Sequence, residues 1–331
     1  MNDRDIVDII HRFPKQKILV IGDLMLDEFV WGRVTRISPE APVPVVHVTS
    51  ESYFPGGAAN VARNLKEFCV DVRMMGLIGK DPYGLRLLDL LDASGIRVDG
   101  VLQSASWQTL VKTRIIARNQ QVVRVDRERL DQADSDHTAA AKEILNREMP
   151  ELDAVIISDY AKGFVNQEVV DHVIALAAGS GVIVTADPHP SNPLNWKGIT
   201  AIKPNREEAF RAAGRPVAIP VNPVQSDVKL LDAANILLES WNAKLLMITL
   251  SEQGMLLLQR GQAPYHTPTR AREVFDVSGA GDTAMAFLTL ALSAGADPVQ
   301  AAEIANHASG IVVAKVGTAT VTPEELIASF N

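Results

Sequence analysis

Lys17-Ile18-Leu19-Val20-Ile21-Gly22-Asp23 is an apolar, β-branched run that stops on a carboxylate. Such a run reads as a strand buried on both faces, which in a soluble chain means a parallel sheet covered by helices. The same pattern returns at Ala154-Val155-Ile156-Ile157-Ser158-Asp159 and Val182-Ile183-Val184-Thr185-Ala186-Asp187. It returns again at Ile199-Thr200-Ala201-Ile202-Lys203-Pro204-Asn205 and Leu245-Leu246-Met247-Ile248-Thr249-Leu250-Ser251. Helical patterns intervene, from Glu168 to Ala178 and from Val228 to Trp241, so the chain alternates as a doubly wound α/β sheet requires. Ligands of such sheets bind beyond the C-terminal strand ends. Those ends carry Asp23, Asp159, Asp187, Asn205 and Ser251. One polar strand end can simply mark the chain surfacing; together they favour a site.

Two stretches break this rhythm. Glu28 to Ser50 alternates Val34, Ile37, Val43, Val45 and Val48 among Pro39, Pro42 and Pro44. Thr109 to Glu128 reads as a hairpin turning at Arg118-Asn119-Gln120. Both look antiparallel and half exposed, which predicts a small β-sheet lid over the site, from about 28–50 and 109–128. The expectation is one domain over 1–331, with helices on both faces of a mainly parallel sheet.

Composition narrows the partners. The 331 residues hold 32 Lys plus Arg against 40 Asp plus Glu, a net charge of −8. That balance argues against general nucleic-acid or anionic-membrane binding, though not against a local basic pocket. The lone cysteine, Cys69, excludes an intramolecular disulfide and has no activating charge beside it. Met1 to Lys17 lacks the apolar core of a signal peptide. The longest uncharged apolar run, Thr283 to Ala296, falls short of the about 18 residues a membrane span needs. A cytoplasmic protein is expected.

The chemistry concentrates in three segments. Asp276-Val277-Ser278-Gly279-Ala280-Gly281-Asp282-Thr283 is a glycine turn opening an apolar helix, where N–H groups and the helix dipole favour an anion. A plain capped helix start would look similar. Asp282 discriminates, because a carboxylate at an anion site is costly unless it takes a proton from an attacking hydroxyl. Pro55-Gly56-Gly57-Ala58-Ala59-Asn60 lets backbone approach a ligand and offers Asn60 to hydroxyls. Asn205-Arg206-Glu207-Glu208 places Asn205 and Glu208 one helical turn apart, suited to Mg²⁺ held through water. A capping box explains the same spacing.

Together these segments resemble the ribokinase (phosphofructokinase-B) family of carbohydrate kinases, over essentially the whole chain. Gly56 to Asn60 and Asp276 to Asp282 are similar to the family's two signatures, and Asn205 with Glu208 to its Asn-x-x-Glu magnesium motif. Val277-Ser278 stands where many members have two threonines. Ile37 to Val45, Arg118-Asn119-Gln120-Gln121 and Asp159-Tyr160-Ala161-Lys162-Gly163 look like the kinase domain of bacterial heptose kinase/adenylyltransferases. The resemblance implies ATP-dependent phosphorylation of D-glycero-D-manno-heptose 7-phosphate to the β-1,7-bisphosphate, toward lipopolysaccharide core heptose. No adenylyltransferase domain is expected within the chain. Another sugar or nucleoside kinase, or a non-catalytic sugar-phosphate sensor, is the alternative.

By that resemblance Asp282 is the base, with Gly279, Ala280 and Gly281 around the transferring phosphoryl group. Asn205, Arg206, Glu207, Glu208, Ser251, Gly254, Asn306 and Lys162 fall to the nucleotide side. Asp23, Asp27, Gly56, Gly57 and Asn60 fall to the sugar hydroxyls. The sugar's 7-phosphate needs a cation, for which Lys112, Arg114 and Arg118 are candidates if no bulge intervenes. ATP and Mg²⁺ are the implied cofactors, and a monovalent cation is left open. A homodimer through the lid is expected.

Overall fold

The computed structural model describes residues 3–118, 120–128, 132–271, 273–315 and 317–330. Its main sheet starts with β1 (Lys17–Gly22), in which Ile18 and Val20 enter one core while Leu19 and Ile21 enter the other. That division is why the run is apolar throughout. β4 (Asp71–Gly79) and β5 (Arg97–Ser104) extend the sheet on one side of β1. On the other side come β8 (Ala154–Ser158), β9 (Ile183–Asp187), β10 (Ala201–Ile202) and β11 (Leu245–Thr249). β12 (Met255–Gln259) and β13 (Tyr265–Thr267) finish the nine-stranded sheet antiparallel, after seven parallel strands. The strand expected over 199–205 is regular as β10 only at Ala201 and Ile202, but Thr200 and Lys203 N–H still donate to Val184 O and Ala186 O, Thr249 N–H donates to Pro204 O, and Asn205 bridges Thr249 beyond the proline.

Helices cover both faces. α1 (Asp3–Ile10) and α2 (Ala58–Lys66) lie on one face with the almost wholly buried α8 (Ala280–Ser293), α9 (Pro298–Val312) and α10 (Pro323–Ala328). α4 (Ser135–Glu148), α5 (Gln167–Ala177), α6 (Arg206–Ala212) and α7 (Val228–Ser240) close the other. α3 (Pro82–Ala93) packs beside β5 and the lid. Among the described residues no helix is long and apolar enough to cross a membrane. Cys69 is buried, and burial pushes its thiol up to about 12, as an inert core residue should be.

The lid is a separate four-stranded sheet, ordered β3-β2-β6-β7. Its strands are β2 (Leu24–Ile37), β3 (Pro44–Gly57), β6 (Leu110–Ala117) and β7 (Gln120–Arg127). Each hairpin is antiparallel as expected, but the two join through a parallel β2–β6 pairing. The first hairpin also reaches deeper than 28–50. β2 leaves β1 with only Asp23 between them, and β3 ends on Gly56-Gly57 at the start of α2. The glycine pair is therefore the joint between lid and core. Asn119, in the expected hairpin turn, lies outside the described residues.

Candidate active site

α8 opens at Gly279, whose φ of 81° lies in the left-handed region. A Cβ there would sit 2.7 Å from the Asn60 amide nitrogen, so glycine is needed both for the turn and for the approach. One turn of helix then aims Asp282 into the site. Its Oδ2 accepts from Asn60 Nδ2 at 2.9 Å and its Oδ1 from the Tyr160 hydroxyl at 2.5 Å. Burial pushes this carboxyl up to about 6, against those hydrogen bonds, which puts its ionisation at the lower edge of the neutral range. A general base works best there. Ala280 N–H donates to Val277 O, while helix geometry leaves Gly281 and Asp282 N–H without intrahelical acceptors. Within the expected Gly279–Gly281 set it is Ala280 N–H that is taken up by the chain itself, and Asp282 N–H adds an open donor beside Gly281.

Two further groups complete this centre, and neither was singled out by sequence. Lys203, buried after β10, places Nζ 2.9 Å from Asp187 Oδ2 at the end of β9. The ammonium also lies 3.6 Å from where a Cβ on Gly281 would stand, so Gly281 leaves its path open. Burial alone would lower the Lys203 pKa, but Asp187 holds it above the usual lysine value. The lysine remains charged beside the glycine turn. Tyr160 is the other, brought in by the loop after β8.

The sugar-side expectations divide. Asp27 Oδ2 lies against Gly56, where a Cβ would approach it to 2.3 Å. Gly57 adopts φ 58° beneath Met25. Asn60 keeps its Oδ1 buried with no partner among the described residues, an acceptor open to a hydroxyl. Asp23 is different. Its carboxylate accepts from the backbone N–H groups of Tyr160 (2.9 Å), Lys162 (3.0 Å) and Phe164 (3.1 Å). Asp23 is therefore a loop anchor, not a free ligand for sugar.

The cations also part company. Arg114 is paired with Asp27 and lies over the Phe29 ring. Arg118 stands beyond the end of β6 at φ 50°, exposed, so it leaves the face shared by Lys112 and Arg114. The bulge itself falls on β7, opposite Ile115 and Ile116, and β6 stays regular. Lys162 is claimed by Glu128 at 2.8 Å, which removes it from the nucleotide side. Lys112 remains half-buried with no ion pair among the described residues.

On the nucleotide side, a cavity of about 570 Å³ opens among Asp187, Lys203, Glu208, Gly254, Asp282 and Asn306. Ser251, at φ 53°, lines it too. Gly254 has φ 87°, and a Cβ there would strike Thr267 O at 2.1 Å. A larger hollow of about 790 Å³ between α7 and β12 sits at the opposite end of the parallel strands, so the chemistry belongs to the former. Asn205 and Glu208 form a complete capping box: Glu208 N–H donates to Asn205 Oδ1 at 2.9 Å and Asn205 N–H to Glu208 Oε2 at 2.7 Å. Among the described residues only one Glu208 oxygen is used, and its charge still acts on Asp187 and Lys203. Capping and a metal role are thus compatible. Arg206 and Glu207 point elsewhere, as neighbours on a helix must. Arg206 pairs with Asp227 and Glu207 with Arg211.

Among the described residues no three metal-ligating side chains cluster. Glu208, with one carboxylate oxygen outside the capping box, is the residue here that would hold a Mg²⁺ ion through water, an arrangement this cation commonly adopts beside phosphates.

A family model described as pfkB family carbohydrate kinase matches residues 15–325. The bifunctional protein HldE of Geobacter sulfurreducens is 43% identical over 313 residues, 95% of this chain and 62% of that protein. HldE of Magnetococcus marinus is 42% identical over 322 residues, 95% of this chain and 64% of that protein. The chain therefore spans less than two thirds of the length of these relatives. Among solved structures, phosphofructokinase-2 from Escherichia coli in complex with potassium has a TM-score of 0.77 at 18% identity, covering 95% of this chain and 98% of that one. Arabidopsis thaliana ribokinase complexed with ribose and ATP has a TM-score of 0.71 at 16% identity, covering 96% and 99%. Likeness at such identities shows a shared fold.

Proposed function

The chain belongs to the pfkB family of carbohydrate kinases, and from that premise we propose that it phosphorylates the anomeric hydroxyl of D-glycero-D-manno-heptose 7-phosphate. ATP is the donor and the β-1,7-bisphosphate the product, used toward the ADP-heptose of lipopolysaccharide core. The observation that carries a phosphotransfer reading is the buried Asp282, aimed from a glycine turn and facing the Lys203 ammonium. The heptose reading rests on the resemblance of 37–45, 118–121 and 159–163 noted above.

Phosphoryl transfer needs positioning and charge neutralisation more than covalent chemistry. Asp282 takes the hydroxyl proton as the sugar oxygen bonds to the terminal phosphorus and the bridging bond of ATP breaks. Lys203 and the first-turn N–H groups of α8 neutralise the phosphoryl oxygens. Asn60 Oδ1 and Asp27 orient sugar hydroxyls. Ser251, Gly254 and Asn306 line the nucleotide, and Glu208 serves Mg²⁺, which screens phosphate charge when bound. Lys112 takes the 7-phosphate, because the other candidate cations are already paired or turned away.

The lid leaves Ile37, Val43, Val48, Val123 and Val125 exposed, and every residue of β7 is open to solvent. A small sheet of that kind is marginal alone, so a second copy is proposed to cover it. Incubation with Mg-ATP and a panel of sugars and sugar phosphates, with sedimentation in parallel, tests both statements. Turnover confined to the heptose 7-phosphate by a dimer is expected. ADP release with none of the panel would refute the kinase reading, and an active monomer would refute the dimer.

Glu208→Gln separates capping from metal binding. It keeps the shape of the box but lowers the charge, so the Mg²⁺ concentration for half-maximal rate should rise severalfold. If Glu208 serves only as a cap, glutamine closes the same box, as Gln300 does at the start of α9, so both thermal stability and the Mg²⁺ response stay put.

A further inference from the structure

The Asp159–Gly163 turn is held more firmly than a surface loop requires. Asp23 collects two of its backbone N–H groups, those of Tyr160 and Lys162, and that of Phe164 just after it. Asp159 accepts from Ala161 N–H at 2.8 Å and from Asn192 Nδ2 at 3.1 Å. Ala161 is kept at φ 54°, a conformation that costs an L-residue on the order of 1 kcal/mol. Lys162 ties the same turn to Glu128, at the end of the lid. What all this fixes is the direction of one side chain, Tyr160, whose hydroxyl reaches Asp282.

We propose that Tyr160 is a positioning residue for phosphoryl transfer: from its pinned turn it donates to Asp282 Oδ1, orienting that carboxylate and favouring the ionised form that accepts the sugar's proton. The proposal rests on the reading of Asp282 as the base. Burial and the neighbouring carboxylate raise the phenol well above its ordinary value, so the hydroxyl stays a donor and does not itself titrate. The groups facing Asp282 are Asn60 from α2, Asp187 from β9, Lys203 after β10 and Tyr160, while Asp27 faces the phenol from β2. Asp187 and Lys203 are paired with each other. Burial makes Asp282 hard to ionise, and the two hydrogen-bond donors are the main influences that oppose it.

The test is the pH profile of kcat/KM for Tyr160→Phe beside that of the unmodified enzyme. Loss of the donor should move the acid limb upward by about one pH unit, an about tenfold loss below the limb that shrinks as pH rises. Site-specific 3-fluorotyrosine at position 160 keeps the hydroxyl and the fold while strengthening the donor, and should move the limb downward. Unmoved limbs in both proteins would overturn the proposal, whatever the change in maximal rate. So would a loss equal at every pH. Asp282→Asn run alongside keeps the two readings apart: full activity in it defeats the base assignment, whereas an inactive Asp282→Asn with unmoved limbs defeats only the role of Tyr160.

Discussion

Asp282→Asn is expected to lower the single-turnover rate by about 10²–10⁴, the usual loss when a general base is removed, with nucleotide affinity held within a few fold. The substitution removes charge but little shape. Asp282 accepts from Asn60 Nδ2 and from the Tyr160 hydroxyl, and an amide can keep one of those bonds through its oxygen. The other is recovered if the Asn60 amide turns over, presenting its unpartnered Oδ1 to the new NH₂ group. Stability should change by no more than about 1 kcal/mol, the net worth of one such bond. The rate loss would then belong to chemistry rather than unfolding. The pH response adds a second reading. With the carboxyl at about 6, the parent enzyme loses kcat/KM about tenfold per pH unit below that point as the base protonates, while the variant's residual rate has no such limb. Rapid-quench kinetics with nucleotide titration, repeated from pH 5 upward, measures both. Near-parental turnover would remove Asp282 from the reaction.

Much of the fold was legible because burial on two faces writes itself into continuous apolar runs. β4 escaped because Arg73 interrupts its run, a buried guanidinium compensated by Asp71 on the same strand and by Glu148 and Glu151, which only tertiary structure brings to it. The site shows the same limit. Glycine turns and Asn-x-x-Glu are local, so spacing found Gly56, Gly57, Asn60, Asn205, Glu208, Gly279 and Asp282. Asp187 ends β9 and Lys203 directly follows β10, its parallel neighbour. Polar residues at adjacent strand ends could have suggested such a pair, but a lysine before Pro204 reads first as surface. Tyr160 needed the Asp23 anchor, and that anchor in turn made Asp23 look like a ligand. Helix geometry could have excluded Arg206 and Glu207 at once, since residues one and two past the cap leave its face. Arg118 failed for a backbone reason, a left-handed residue past the strand end, which alternation cannot foresee.

Lys112→Met is expected to raise KM for the heptose 7-phosphate by about 10- to 100-fold, the worth of a hydrogen bond to a charged group, with KM for ATP unchanged. Lys112 pairs in register with Asp27 across the parallel β2–β6 ladder, so both residues share the lid face that meets the strand ends. Its ammonium acts on His189, which lines the cavity, and is itself acted on by Asp27 and Lys162. Burial lowers its pKa, the mark of a cation held partly out of water without a full counter-charge. Asp27 and Asp126 oppose that burial without closing an ion pair with Lys112, so an anion brought by the substrate would complete the compensation. By the same reasoning the methionine variant should be at least as thermostable as the parent, because it relieves a desolvated charge. Lys112→Arg should recover part of the affinity. An unphosphorylated heptose, which has no anion to place against this residue, should be turned over equally poorly by parent and variant. Comparing the two sugars therefore isolates the phosphate contact. If the parent accepts the 7-phosphate and Lys112→Met leaves its KM unmoved, the phosphate lies elsewhere on the lid; if the parent ignores the phosphorylated sugar altogether, it is the substrate assignment that fails, and the half-buried lysine would be left as a charge awaiting some other anion.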